Sequence, residues 1–174
     1  MVEKKDKQPR LFALENARTP KQHDHMAKNQ AAGRCCFCDI DLTVNKIIVT
    51  GKYWRVMPNA FPYPAHLHHF IITPIRHVIH PAQLTPAERD EWMRLNLWVI
   101  EKYNLPGGAI VMRFGDFKHN AGTVAHLHSH IQVPSGKRFA IAVFVKDAAL
   151  AGFLDIQDAK YASAQAKKRA KKKK

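Results

Sequence analysis

Long apolar runs are missing from this sequence. No stretch of about 18 consecutive hydrophobic residues occurs, which argues against a transmembrane helix. The first ten residues, "MVEKKDKQPR", are charged and no apolar segment follows them, so a secretory signal is not expected and a cytoplasmic location is. Acidic side chains are scarce: 14 Asp and Glu stand against 28 Lys and Arg, for a formal net charge of +14. A surface of that sign attracts polyanions such as nucleotides or nucleic acid. Half of the excess is local, because "KKRAKKKK" at 167–174 carries seven positive charges and no negative one. That tail reads either as a solvating segment or as a weak, non-specific nucleic-acid contact. Cysteine is limited to three residues, Cys35, Cys36 and Cys38, crowded into "GRCCFCD". Three so close together exclude a disulfide framework.

What is present suits one α+β domain with extra tails. The hydrophobic fraction of 46% in 174 residues is ordinary and allows a core. Residues 1–33 are polar and charged and read as a flexible basic arm; "HDH" at 23–25 stands alone within it. The globular part is expected over 34–150, and a helix running into the Lys-rich tail over 151–174. "KIIVT" (46–50) and "YWRVM" (53–57) read as a hairpin around Thr50–Gly51. "HHFIITP" (68–74), "AIVMRF" (109–114), "VAHLHSHIQV" (124–133) and "RFAIAVFV" (138–145) read as further strands. Between them Thr85, Pro86 and Glu88 form a helix start, and Trp92, Leu95, Val99 and Tyr103 repeat at helical spacing. Asn104, Pro106, Gly107 and Gly108 close that helix. Strands, one long helix, then strands again predict an antiparallel sheet with the helix packed across it.

Two constellations carry chemistry. In "VAHLHSHIQVP" three histidines alternate: His126, His128 and His130. On a strand the positions i, i+2 and i+4 share a face, so the pattern lines up three imidazoles as proton donors, ligands or nucleophiles. A single histidine on a half-buried strand is an ordinary polar group; three in strict alternation behind a Gly-Thr loop are not. The second is Cys35-x-x-Cys38. A thioredoxin-like redox motif would follow a strand and open a helix, whereas this one leads into a turn and strands, which fits zinc better. Zinc needs four N or S ligands, so two histidines must join the cysteines.

The segment "NAGTVAHLHSHIQVP", with "CCFC" upstream and "FIITPIRH" between, resembles the zinc-bearing branch of the histidine-triad superfamily, whose signature alternates histidine and apolar residues behind a small polar loop. The likeness spans roughly residues 34–134. It implies a small antiparallel sheet crossed by a helix, a homodimer, and cleavage or transfer of a nucleoside monophosphate at its α-phosphate. It implies the middle histidine, His128, as nucleophile and His130 as a donor to the phosphoryl oxygens. For zinc it implies Cys35, Cys38, His77 and His126. The chemistry is sound in its own right, since a neutral imidazole is a competent nucleophile near pH 7. The preceding loop offers Asn120, Gly122 and Thr123 to a phosphate, and Gln132 follows one step along the histidine face. His119 lies close to that loop. Ser129 stands where the pattern prefers an apolar residue, and no acid in the motif orients His128, which leaves a backbone carbonyl for that task.

Alternatives stay open at this point. His66, His68 or His69 of "AHLHHF" could replace a zinc ligand, Cys36 could replace a neighbour, or the cysteines could be simply buried. Asn59, Phe61 and Tyr63 of "PNAFPYP" are placed to hold a base or ribose. The expected activity is a nucleotide hydrolase or nucleotidyl transferase with a small-molecule nucleotide substrate. The rival is a zinc-stabilised nucleic-acid-binding module with little activity.

Overall fold

Apolar residues at every second position build a sheet with two unlike faces. Trp54 and Val56 of β2 (Trp54–Pro58), Phe70 and Ile72 of β3 (His66–Pro74), and Ile131 and Val133 of β5 (His128–Pro134) share one buried core. Met57 and Ile71, one position out of phase, point to the other face and join a second buried cluster. A short β1 (Val49–Thr50) and β4 (Ala109–Arg113) complete the antiparallel sheet, in the order β1-β2-β3-β5-β4. The computed structural model describes residues 10–136. The strand expected at 138–145 and the helix and Lys-rich tail expected over 151–174 lie outside the described residues. The α+β class with an antiparallel sheet is as the sequence implies.

The helix α2 (Pro86–Lys102) begins where its capping residues place it. Thr85 accepts from the Glu88 amide, and the Glu88 carboxylate accepts in return from the Thr85 amide at 2.7 Å. Its end is set by Asn104 at φ 44°, a left-handed turn that asparagine tolerates. Trp92, Leu95 and Tyr103 pack on the first core, with Val99 inside it. Two polar contacts lock helix to sheet: the Trp54 indole donates to the Glu88 carbonyl at 2.8 Å, and the Trp92 indole donates to Ser129 Oγ at 2.8 Å. Ser129, out of pattern as a motif residue, is therefore the acceptor of a core tryptophan. Glu91 Oε1 accepts from the amides of Tyr53 and Trp54. A Cβ on Gly51 would come within 2.1 Å of that oxygen and push it off those amides.

Residues 10–33 do not behave as a flexible arm. Pro20–Ala31 forms helix α1, capped by Thr19, and buries Gln22, Met26 and Asn29. Phe12 is 2% exposed and pairs with Val124 in a β-bridge; the Ala13 amide donates to the Thr123 carbonyl and the Ala125 amide to the Leu11 carbonyl. Gln30 Oε1 accepts from the amides of Leu11 and Phe12, tying the segment back to α1. A polar composition thus conceals a few apolar anchors, Phe12 and Met26, that cover the sheet face opposite α2. The same pairing shortens β5. Thr123 and Ala125 bond to the N-terminal segment instead of the sheet, so the strand begins at His128 and His126 precedes it.

Candidate active site and metal centre

The face under the N-terminal segment carries both constellations. His128 and His130 leave β5 on that face, and Arg113 and Val111 are their cross-strand partners on β4. On the other side Ile71 pairs with His130 and His69 pairs with Gln132. Paired residues share a face, so His69, His128, His130, Gln132 and Arg113 converge.

The metal-type cluster comes first along the chain. Cys35, Cys38, His77 and His126 present one ligand atom each, all within 4.8 Å of one another. Cys35 Sγ lies 3.3 Å from His126 Nδ1, and Cys38 Sγ lies 3.4 Å from His77 Nδ1 and 3.5 Å from His126 Nδ1. A tetrahedral zinc with ordinary bond lengths separates sulfur from nitrogen by about 3.6 Å, so the donor set has the size of such a site. The second nitrogen of His126 fits as well. Its Nε2 lies 3.0 Å from the Pro74 carbonyl, which can only accept, so the proton is on Nε2 and the Nδ1 lone pair faces the sulfurs. Burial, reinforced by the neighbouring Cys35, pushes the Cys38 thiol up to about 12, so a cation is what this sulfur needs to be a thiolate. Cys36 is buried beside the cluster and takes no part in it; burial pushes its thiol up as well. His66, His68 and His69 are likewise absent from this cluster among the described residues.

His128 stands next to the cluster without entering it. Its Nδ1 donates to the His126 carbonyl at 2.7 Å, so a backbone carbonyl does orient the ring. That bond fixes the tautomer and leaves the Nε2 lone pair free; no hydrogen bond among the described residues uses it. The ring is 6% exposed, 5.1 Å from the Phe37 ring and 4.9 Å from that of His130. Burial lowers its pKa to about 4, so the imidazole is neutral at pH 7.

His130 is held by a histidine that the sequence offered only as a spare zinc ligand. His69 Nε2 lies 2.9 Å from His130 Nδ1, and the Tyr63 amide donates to His69 Nδ1 at 3.3 Å. An amide can only donate, so the His69 proton resides on Nε2 and passes to His130 Nδ1 as a hydrogen bond. His130 then carries its own proton on Nε2, as a donor. Burial, with His66 next in effect, lowers His69 to about 3, and burial lowers His130 well below its ordinary value, so both rings are neutral. The signal for His69 was its parity. A bulge between His66 and His68 shifts the register of β3, so His66 and His69 share the site face, their rings 5.3 Å apart. His68 turns to the other face against Phe70 and Tyr103.

The loop residues are placed differently from the expectation. Asn120 ends a helical turn, α3 (Phe117–Asn120); its amide donates to the carbonyls of Phe114 and Gly115, and its Oδ1 accepts from the Gly122 amide. The side chain expected to reach a phosphate is instead committed to shaping the loop. Gly122 is glycine because a Cβ would meet Asn120 Oδ1 at 2.9 Å. Its carbonyl accepts from Asn16. The Thr123 carbonyl is held by Ala13, and its side chain is half-buried at the loop's end. Gln132 is 6% exposed, and its Nε2 has no hydrogen-bond partner among the described residues. Asn59 braces the Phe61 amide and lies against His69. Tyr63 stacks on His69 with rings 5.5 Å apart, and the Arg18 guanidinium covers it at 3.7 Å, so at least one face is taken and it is no open platform for a base. His119 is exposed on α3.

Fold and site together define a class: an α+β sheet protein with neutral histidines alternating on a strand beside a Cys2His2 cluster. No family model and no curated protein matches the sequence. Among solved structures the fold is similar to those of a zinc-bound histidine triad family protein from Mycobacterium smegmatis, at 19% identity over 66% of this chain and 83% of that one, with a TM-score of 0.47; a histidine triad protein from Clostridium difficile, at 18% identity over 63% and 96%, with a TM-score of 0.46; and the diadenosine triphosphate hydrolase of Plasmodium falciparum, at 24% identity over 58% and 65%, with a TM-score of 0.42. Likenesses so distant carry no weight for the chemistry, which rests on the residues of this chain. No helix among the described residues is long and apolar enough to cross a membrane.

Proposed function

We propose that the protein is a histidine-triad nucleotide hydrolase or nucleotidyl transferase acting at the α-phosphate of nucleoside 5′-monophosphate derivatives such as dinucleoside polyphosphates. The observation that carries this reading is His128: a neutral imidazole with Nδ1 tied to a carbonyl and Nε2 unengaged, on a strand where the next histidine presents a donor. Nε2 attacks the α-phosphorus. The N–P bond forms, the P–O bond to the leaving group breaks, and its electron pair departs with the leaving oxygen. The imidazole keeps its Nδ1 proton on the His126 carbonyl, so the intermediate is a nucleotidyl-imidazolium. Water, or another acceptor in a transferase, then attacks phosphorus and frees His128. Charge accumulating on the phosphoryl oxygens meets His130 Nε2–H, a donor whose orientation is set in advance through His69.

Zinc held by Cys35, Cys38, His77 and His126 belongs to the same reading. Bound there, it clamps the N-terminal Cys segment to the chain entering the catalytic strand and supplies no step of the reaction. A homodimer is supported by the exposed Ile110 on β4, the last strand of the sheet among the described residues, and by Met93 and Leu97 on α2.

The test compares the wild-type chain with His128→Ala on diadenosine polyphosphates and an adenosine phosphoramidate. Turnover by the wild type and a loss of about a thousandfold or more in the variant are expected. Equal activity of the two proteins would remove His128 as the nucleophile, and no turnover with any substrate would remove the enzyme reading and leave the binding module.

A further inference from the structure

The N-terminal segment clasps two loops that flank the histidine face. Its seats on either side are firm. Phe12 and Ala13 are 2% and 0% exposed and are bonded to the 123–125 stretch. After the Thr19 cap, α1 buries Gln22, Met26 and Asn29. Between these seats runs a 3-10 turn, Leu14–Asn16, that buries none of its residues fully; Leu14 only rests against the second core. The ties from this stretch to the two loops are polar. Asn16 Nδ2 donates to the Gly122 carbonyl at 2.8 Å. Arg18 Nη2 donates to the Phe61 carbonyl at 2.6 Å, and its guanidinium lies 3.7 Å over the Tyr63 ring. Gly122 precedes the start of β5. Phe61 and Tyr63 belong to the loop that enters β3 at His66, whose cross-strand partner is Pro134 at the end of β5. Two residues of one short strap therefore join loops from opposite ends of the histidine strand.

The face beneath is closed. His69, His128, His130 and Gln132 are 7%, 6%, 9% and 6% exposed, so a nucleotide cannot lie along them until something moves. The closed state also leaves polar atoms unmet. Gln132 Nε2, a donor, is buried with no hydrogen-bond partner among the described residues. So is His66 Nε2, an acceptor, because Nδ1 gives its proton to the Pro64 carbonyl at 3.1 Å. Opening returns both to water, which favours it while the face is empty. The clasped loops are strained as well. Ala65 and Ala121 stand at φ 62° and 47°, in the left-handed region that a residue with a Cβ occupies only when its surroundings hold it there.

We propose that the strap from Leu14 to Arg18 is a gate: Asn16 and Arg18 release the two loops to admit a nucleotide and fasten them again over it. The inference rests on the proposed function, because a nucleotide is what the gate admits. Phe12 and α1 stay seated and serve as the posts between which the strap swings. A latch of a few polar contacts over little buried hydrocarbon opens locally, without unfolding of the sheet. Fastened over a bound nucleotide, the strap limits the water that reaches the phosphorus.

Two measurements on the full chain decide it. Stopped-flow mixing with the fluorescent nucleotide 2-aminopurine riboside 5′-monophosphate reads the gate directly. In the wild type the observed binding rate levels off with rising nucleotide, at the rate of opening. In the double variant Asn16→Ala, Arg18→Ala that plateau rises at least about tenfold, the factor for one lost charge-assisted bond, and Arg18→Lys falls between. Rates that climb linearly and with one slope in all three proteins overturn the gate, even if nucleotides are cleaved. Without nucleotide, hydrogen exchange locates the motion. The amides of Asn16 and Ala17, bonded within the strap, exchange at least about a hundredfold faster than those of Ala13 and Ala125 at the seat, and bound nucleotide slows them. Equal exchange at strap and seat, or strap exchange that nucleotide leaves unchanged, overturns it. A plateau that shifts with the latch, in a chain that cleaves no nucleotide, keeps the gate and removes the enzyme reading. A nucleotide that binds none of the proteins overturns both.

Discussion

His69 decides which nitrogen of His130 faces a substrate. The chain of bonds runs from the Tyr63 amide through His69 to His130, and each link is a donor meeting an acceptor. Without His69 the proton of His130 can move to Nδ1 and the donor is lost. His69→Ala is therefore expected to lower kcat by up to about a hundredfold, the scale of losing one donor to a transition-state oxyanion, with KM changed far less. Steady-state kinetics on a dinucleoside polyphosphate checks it; a rise in KM alone would mean that His69 only shapes the binding surface. His128 and His130 were legible in the sequence because strict alternation has few other uses. His69 was legible only as parity, alternating with Ile71 on the face opposite Phe70 and Ile72; that His66 shares this face was hidden, because a bulge between His66 and His68 shifts the register and no residue in "AHLHHF" announces it. Asn120 was legible as a loop residue, but its role was not: a short polar side chain serves its own backbone as readily as a ligand, and here it does the former.

At the scale of elements, α2 was the plainest reading. Its cap residues, its apolar repeat and its terminal Asn-Leu-Pro-Gly-Gly act locally, so no distant partner could override them. One part was hidden: Glu88 also receives Arg76, with Nε to Oε1 at 2.5 Å and Nη2 to Oε2 at 2.8 Å, joining the helix start to the segment after β3. That segment carries His77. The Arg76 guanidinium, and then the Thr85 bonds, lower the Glu88 carboxyl from 4.5 to about 2. The sign follows from linkage. The unfolded chain binds the proton first, so the stabilisation is whole above pH 4.5 and is lost as pH falls from there toward 2. Glu88→Ala should cost about 2 kcal/mol at pH 7 by loss of the cap and the ion pair. The gap to wild type should close as the pH drops through that window in denaturant titrations. A gap independent of pH would show that packing, not charge, holds the helix start. The N-terminal segment is the converse case. Its polar sequence reads as an arm, and only contacts with Val124 and Thr123, more than a hundred residues away, turn it into a cover for the site.

Across the whole molecule the sheet separates two tasks. The face toward α2 is hydrocarbon with a few locked indoles; the face toward the N-terminal segment carries histidine, cysteine and arginine. The alternation of β5 feeds both, with Ile131 and Val133, and Leu127 just before the strand, in the first core and His128, His130 and Gln132 opposite. Cys35, Cys38, His77 and His126 come from three separate stretches, and only the assembled fold brings them within ligand distance. Elemental analysis of the purified protein should find about one zinc per chain, lost in Cys35→Ser together with several kcal/mol of stability. A zinc-free protein of unchanged melting temperature would take the clamp out of the account.

The proposed mechanism requires a covalent bond between His128 and the α-phosphorus. Two successive in-line displacements restore the starting configuration, whereas a single attack by water inverts it. The direct measurement is the stereochemical course at a nucleotide made chiral with sulfur and oxygen isotopes at the α-phosphorus. Net retention is the predicted result. Net inversion would mean that water attacks phosphorus without the histidine, and would contradict the account.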